Sequence, residues 1–199
     1  MKVLDELRSI VPNRRLSMNE GYVLAERQAT ALLRRQGVYA APVPATTISR
    51  LPFMRVAVRT PMSTSGATDW RKPRWVVLLN GMEPAVRQRF SLAHEFKHII
   101  DHPYVEKAYG HAASERHPSI ERLCDYFAAC LLMPRQWIKQ AFADGVQDIY
   151  DLASLFEVSP QAMQVRLLQL GLIDPYARCG GMNNAYLRQL PASSLGQVA

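Results

Sequence analysis

Between Leu16 and Gly37 the chain reads LSMNEGYVLAERQATALLRRQG, and its apolar residues Val23, Leu24, Ala31, Leu32 and Leu33 predict the buried stripe of a helix. Ser17 and Glu20 stand at capping-box spacing and Gly37 suits a C-cap, so both ends of that helix are written in the sequence. Arg27, Arg34 and Arg35 fall between the apolar positions and are expected in solvent. Ahead of it, residues 1–12 suit a short helix ending near Pro12.

The period then changes from helical to two. FMRVAVR (53–59) alternates apolar and polar residues as a half-buried strand does, and RWVVLLN (74–80) reads as a second strand. TPMSTSGATDW between them reads as a turn-rich crossing. After the break at NGMEP, a helix is expected from about Pro84, placed as the first helical residue, to about Asp101, because Pro103 restricts the residue before it. Residues 103–118 read as a polar connection. SIERLCDYFAACLLM predicts a second helix running to Pro134, and PRQWIKQAFADG a third ending at Gly145. DIYDLASLFEVSPQAMQVRLLQLGLI predicts two short helices around a turn at Val158–Ser159. The tail from Arg178 is weakly patterned, and its final residues PASSLGQVA are expected to be flexible. The resulting division is 1–145 for the main domain, 146–177 for a helix-turn-helix-like segment and 178–199 for the tail.

Composition narrows the class. With 199 residues, 48% hydrophobic and 21% charged, the chain suits one compact soluble domain with a small appendage. Runs such as WVVLL are too short to span a bilayer, and Asp5, Glu6 and Arg8 interrupt any secretory core, so a cytoplasmic protein is expected. Cys124, Cys130 and Cys179 are an odd set without CxxC spacing and are expected to stay reduced. Residues 1–93 hold 15 Lys/Arg against 6 Asp/Glu, whereas 94–199 hold 9 against 11. The basic half is read as a solvated arginine-rich face, because no basic run alternates with aromatics.

Candidate chemistry sits in FSLAHEFKHIIDH (90–102). His94 and His98 are one helical turn apart on one face, so both imidazoles can reach one metal ion. Glu95 lies beside the first of them, where a carboxylate can act as a base without ligating, as a hydrolytic zinc site requires. Chance would place such a string in roughly 0.6% of chains of this composition. A third ligand is still needed. The extended metzincin pattern fails, because positions 101 and 104 are Asp and Tyr. His102, Asp101, His111 and His117 stay open, but Glu121 on the following helix is the better candidate, with Asp125 four residues on. That is the gluzincin spacing, in which the downstream acid orients a ligating histidine.

RQRFSLAHEFKHIIDH followed by ERLCDYFAACLLMP resembles the ImmA/IrrE family of zinc metallopeptidases, whose motifs are RFTxAHExxH and ExxANxFAxxLLMP. The similarity extends to MNEGYVLAERQATALL, SGATDWRKPRWVVLLN and FEVSPQAMQVRLLQLGLI, with Cys124 where alanine is usual and Asp125 where asparagine is common. The resemblance implies an α+β, minimal zincin-like fold: a small antiparallel sheet packed on the HExxH helix, plus the C-terminal helical segment. It implies Zn2+ held by His94, His98 and Glu121, with Glu95 as the base and Asp125 behind the ligands. The implied activity is cytoplasmic endopeptidase cleavage of a helix-turn-helix repressor, relieving repression. The other class kept open is a non-cleaving regulatory or toxin–antitoxin-type binding module on the same fold. Tyr104, His111, His117 and Tyr126 are candidate oxyanion donors, and RWVVLLN could pair with an extended substrate. Direct DNA binding is not expected: residues 148–172 carry Asp148, Asp151 and Glu157 against Arg166 alone. No membrane partner is expected.

Overall fold

The computed structural model describes residues 2–110 and 117–174. His111, Cys179 and the tail expected from Arg178 lie outside the described residues. The order is α1 (Lys2–Ser9), α2 (Met18–Gln36), α3 (Thr46–Ser49), β1 (Met54–Arg59), β2 (Gly66–Arg71), β3 (Arg74–Asn80), α4 (Ala85–Asp101), a π-helical turn (Val105–Tyr109), α5 (Pro118–Leu132), α6 (Arg135–Ala143), α7 (Ile149–Phe156) and α8 (Pro160–Gln169). This is the α+β architecture of a minimal zincin-like fold.

The caps of α2 form as the sequence predicts. Ser17 Oγ accepts from the Glu20 N–H at 3.3 Å, Glu20 accepts from the Ser17 N–H at 2.9 Å, and Gly37 closes the helix at φ +66°. Its buried face runs through Gly21, Leu24, Gln28 and Leu32, and Arg27, Arg34 and Arg35 are exposed. Val23, expected in the stripe, is turned out to solvent at 53% exposure, about a third of a turn from that line. A Cβ at position 21 would stand 2.9 Å from Leu123 of α5, so glycine there lets α2 and α5 approach closely.

The sheet departs from expectation twice. The crossing read at 60–70 gives way at Gly66 to a strand, β2, and the strand order is β1-β3-β2. β2 runs antiparallel to β3 (Gly66↔Leu79 to Arg71↔Arg74), but β1 runs parallel to β3 (Met54↔Trp75 to Arg59↔Asn80), so the sheet is mixed. The short β2–β3 hairpin inserts β3 between the other two strands. Trp75, Val77 and Leu79 are buried, and α4 packs across β2 and β3.

Pro84 is the N-cap of α4 rather than its first helical residue, with ψ 152°. Leu92, Ala93, Phe96, Ile99 and Ile100 bury α4 against the sheet and against α5, which lies between α2 and α4. The first part of the connection, 103–110, is less polar in space than in composition. Val105, Ala108 and Tyr109 are buried with Ile120, Leu123 and Cys124 in a second, smaller core.

The helical pair α7–α8 joins the main core through Leu152, Phe156, Met163 and Leu167. The turn between them carries Glu157 at φ +49°, and Arg89 of α4 holds it by its carbonyl oxygen at 2.9 Å and its carboxylate at 2.6 Å. Arg166 is fully buried, donates to Met133 O at 3.1 Å and lies 5.5 Å from the Tyr126 ring. The one basic residue of 148–172 is therefore part of the core and out of reach of a phosphate.

Candidate metal centre

Neighbouring elements converge on one end of the α4–α5 contact. The helical period places His94 and His98 on the face of α4 turned toward α5, with ring centroids 5.0 Å apart. Their Nε2 atoms are 3.2 Å apart. Glu121, in the first turn of α5, brings Oε2 to 3.3 Å from His94 Nε2 and Oε1 to 3.4 Å from His98 Nε2. Donors at 2.0–2.2 Å from a tetrahedral zinc would stand about 3.3–3.6 Å apart, so this triangle of two imidazoles and one carboxylate, each carboxylate oxygen set against a different histidine, has the spacing of ligands to a small divalent ion. The three side chains keep 14%, 21% and 29% exposure, which leaves the centre open on one side.

Behind the triangle, His94 Nδ1 lies 2.8 Å from Asp125 Oδ1. A proton on Nδ1 donated to Asp125 leaves the Nε2 lone pair for a metal, the arrangement in which an outer carboxylate fixes the tautomer. Without a cation the cluster holds a proton instead. Burial alone would lower the His94 pKa, but hydrogen bonds with Asp125 and Glu121 outweigh it and raise it to about 9. Hydrogen bonds from His94 and then His98 hold the Glu121 carboxyl well below the usual carboxylate range.

The sequence left the third donor open, and the structure separates the alternatives. Asp101, although two turns beyond His94 on much the same side of α4, is buried and already engaged by Lys97 and Tyr109. His102 is exposed and stacks edge-on against Trp75 at 5.1 Å. His117 caps α5 by accepting from the Ser119 N–H at 3.3 Å. Sequence reasoning passed over Cys124 as a donor: its thiol shares a group with His94 and His98 whose ligand atoms lie within 4.8 Å of one another. Glu121, with oxygens 3.3 and 3.4 Å from the imidazoles, and Cys124, within 4.8 Å, thus both border the histidine pair. Burial, followed by the nearby Asp101 carboxylate, pushes the Cys124 thiol up.

Glu95 is only 2% exposed, and its Oε2 accepts a 2.6 Å hydrogen bond from Thr68 Oγ1 of β2. Thr68 falls in the stretch read as a crossing; the alternation of Gly66, Thr68 and Trp70 with Ala67, Asp69 and Arg71 was its only trace. Of the candidate oxyanion donors, Tyr126 is engaged elsewhere, edge-on to Tyr22 at 4.7 Å and beneath Arg166, and Tyr104 packs in the second core. β3 cannot take an added strand, because both its edges are already paired. The outer edge of β2, beside α4, is unpaired by any strand among the described residues.

Among the described residues no helix is long and apolar enough to cross a membrane. No curated protein matches the chain. Among solved structures, a Mycobacterium tuberculosis transcriptional regulator aligns with a TM-score of 0.52 at 17% identity, over 88% of this chain and 54% of that one. The chain thus spans about half of that regulator's length, and the likeness speaks for the fold. The family Peptidase_M78, described as an IrrE N-terminal-like domain, matches residues 46–168, a stretch that takes in the sheet, α4, α5 and the α7–α8 pair. The chain belongs to this family of metallopeptidases.

Proposed function

We propose that the protein is a cytoplasmic zinc endopeptidase in which His94, His98 and Glu121 hold Zn2+ and Glu95 is the general base. The observation that carries this reading is the pair of Nε2 atoms 3.2 Å apart, each 3.3–3.4 Å from a different oxygen of the Glu121 carboxylate, with a buried carboxylate on the adjacent residue of the same helix. A bound zinc ion supplies Lewis acidity, polarising the scissile carbonyl and acidifying water toward neutrality. Glu95 takes the proton of the attacking water on its carboxylate and returns it to the departing amine nitrogen, so one water is consumed per peptide bond broken. Asp125 keeps His94 in its ligating tautomer. An extended substrate has the outer edge of β2 available for strand addition.

The proposed substrate is a helix-turn-helix repressor whose cleavage relieves repression, a class carried by the sequence resemblance. The burial of Arg166 favours a protein partner for α7–α8 over duplex DNA. The test is to incubate zinc-loaded protein with a repressor encoded beside it and to identify fragments by mass spectrometry. Cleavage by the native chain, reduced at least 10²-fold in Glu95→Gln with zinc retained, is expected. Tight binding of the repressor by zinc-loaded native protein without any cut would replace this reading with the non-cleaving module.

A further inference from the structure

The general base assigned above has three rotatable bonds, and something must hold its carboxylate against the place where water would react. Two residues of β2 close on it. Thr68 Oγ1 lies 2.6 Å from Glu95 Oε2. Two residues earlier, on the same face of the strand, Gly66 presents no side chain, and a Cβ built there would stand 2.9 Å from Glu95 Cγ and 3.2 Å from Oε1. Gly66 is itself buried and has an ordinary backbone, so the missing side chain answers to space rather than to a left-handed turn. The floor of this recess is fixed by the hairpin, which sets Gly66 opposite Leu79 and Thr68 opposite Val77, both buried.

We propose that Gly66 and Thr68 form a seat for the base, with Thr68 as a positioning residue that directs one carboxylate oxygen while Gly66 makes room for the other. The proposal rests on the reading of Glu95 as the base. The hydroxyl donates to Oε2 and so restricts the plane of the carboxylate, leaving Oε1 as the oxygen that would take a proton. Displacements of about 1 Å at a reacting group cost about 10²-fold in rate, so the seat shows in turnover more than in substrate binding.

The test uses the full chain and three variants, with zinc content measured for each. Thr68→Val keeps the shape and removes the donor; kcat is expected to fall about 10- to 100-fold with KM within about twofold and zinc unchanged, and Thr68→Ser is expected to restore most of the loss. Gly66→Ala is expected to lower kcat in the same way by pressing on Glu95 Cγ. A readout that needs no turnover is the side-chain carboxyl 13C signal of Glu95 in metal-free protein, assigned through Glu95→Gln. That signal is expected to move in Thr68→Val while the other glutamate signals stay. Unchanged kcat and an unmoved Glu95 signal in Thr68→Val would overturn the seat, as would loss of zinc from that variant. If the native chain cuts no peptide at all, the endopeptidase reading fails, and the carboxyl signal still decides the hydrogen bond.

Discussion

The helix α4 carries two polar pairs at the same i, i+4 spacing, and they meet opposite fates. Toward solvent, His94 and His98 bring two Nε2 atoms to 3.2 Å and share the Glu121 carboxylate. Beside them on the helix but to the rear, deeper in the fold, Lys97 and Asp101 form a buried ion pair at 2.7 Å, with side-chain exposures of 0% and 2%. Lys97 also donates to Gln28 Oε1 at 2.7 Å, Tyr109 donates to Asp101 at 2.8 Å, and Gln28 donates to Leu7 O at 3.1 Å. The rear pair is closed: donors and acceptors match, and the network ties α4 to α1, α2 and the π-helical turn. The front pair crowds ligating atoms together and keeps them partly open. A polar cluster complete in itself is architecture; one whose lone pairs converge on a common point is a place for a cation.

The largest effect should follow from removing the front's carboxylate. Glu121→Ala is expected to lower zinc affinity by more than the roughly 10–100-fold typical of an outer partner, whereas Cys124→Ser keeps about one zinc per chain. Plasma mass spectrometry after dialysis reads both, and the reverse pattern would make the thiol the third donor. At the rear, Lys97→Ala leaves Asp101 buried without its cation and should cost about 3–5 kcal/mol in denaturant unfolding of the metal-free protein. A loss below about 1 kcal/mol would mean that water enters and the network is not closed.

A third measurement bears on the front alone. In metal-free protein His94 is raised from 6.5 to about 9, so its proton must leave before zinc binds. Apparent zinc affinity should therefore rise about tenfold per pH unit from 6.5 to 9 and then level off. The same raised pKa stabilises the metal-free fold below 6.5, and that contribution is lost as pH rises through about 9. Flat affinity across the window, by calorimetric titration, would mean that Asp125 and Glu121 do not protonate His94. The smallest effect is expected at Glu157→Gly. Relief of the positive φ opposes loss of the exposed Arg89 contact, so the melting free energy should change by less than about 1 kcal/mol.

Much of this molecule is written locally. The Ser17–Glu20 capping box, Gly37, the helix ends near Asp101 and Pro134, and the turn at Val158–Ser159 depend on residues within a few positions of one another, and the sequence states them directly. The HEFKH spacing belongs to the same kind, because a helix of known period places both imidazoles on one side before any tertiary contact exists. β2 was hidden because six residues containing Gly66 and Asp69 carry too faint an alternation against a background of serine, threonine and proline turns.

Local pattern was therefore enough for seven of the helices (not α3 or the π-helical turn), the caps of α2, two of the strands, and a histidine pair with an adjacent glutamate. Only the tertiary structure decided that Glu121 joins that pair while Asp101 turns inward to Lys97, and that Arg166 is a core residue. It also decided that the sheet is mixed and that Thr68 reaches Glu95. The reason is range. Caps and helix faces follow from backbone periods over a few residues, whereas the Thr68–Glu95 and Arg166–Met133 contacts join residues 27 and 33 positions apart. Which of several chemically eligible side chains meets another is settled by how the helices and the hairpin pack.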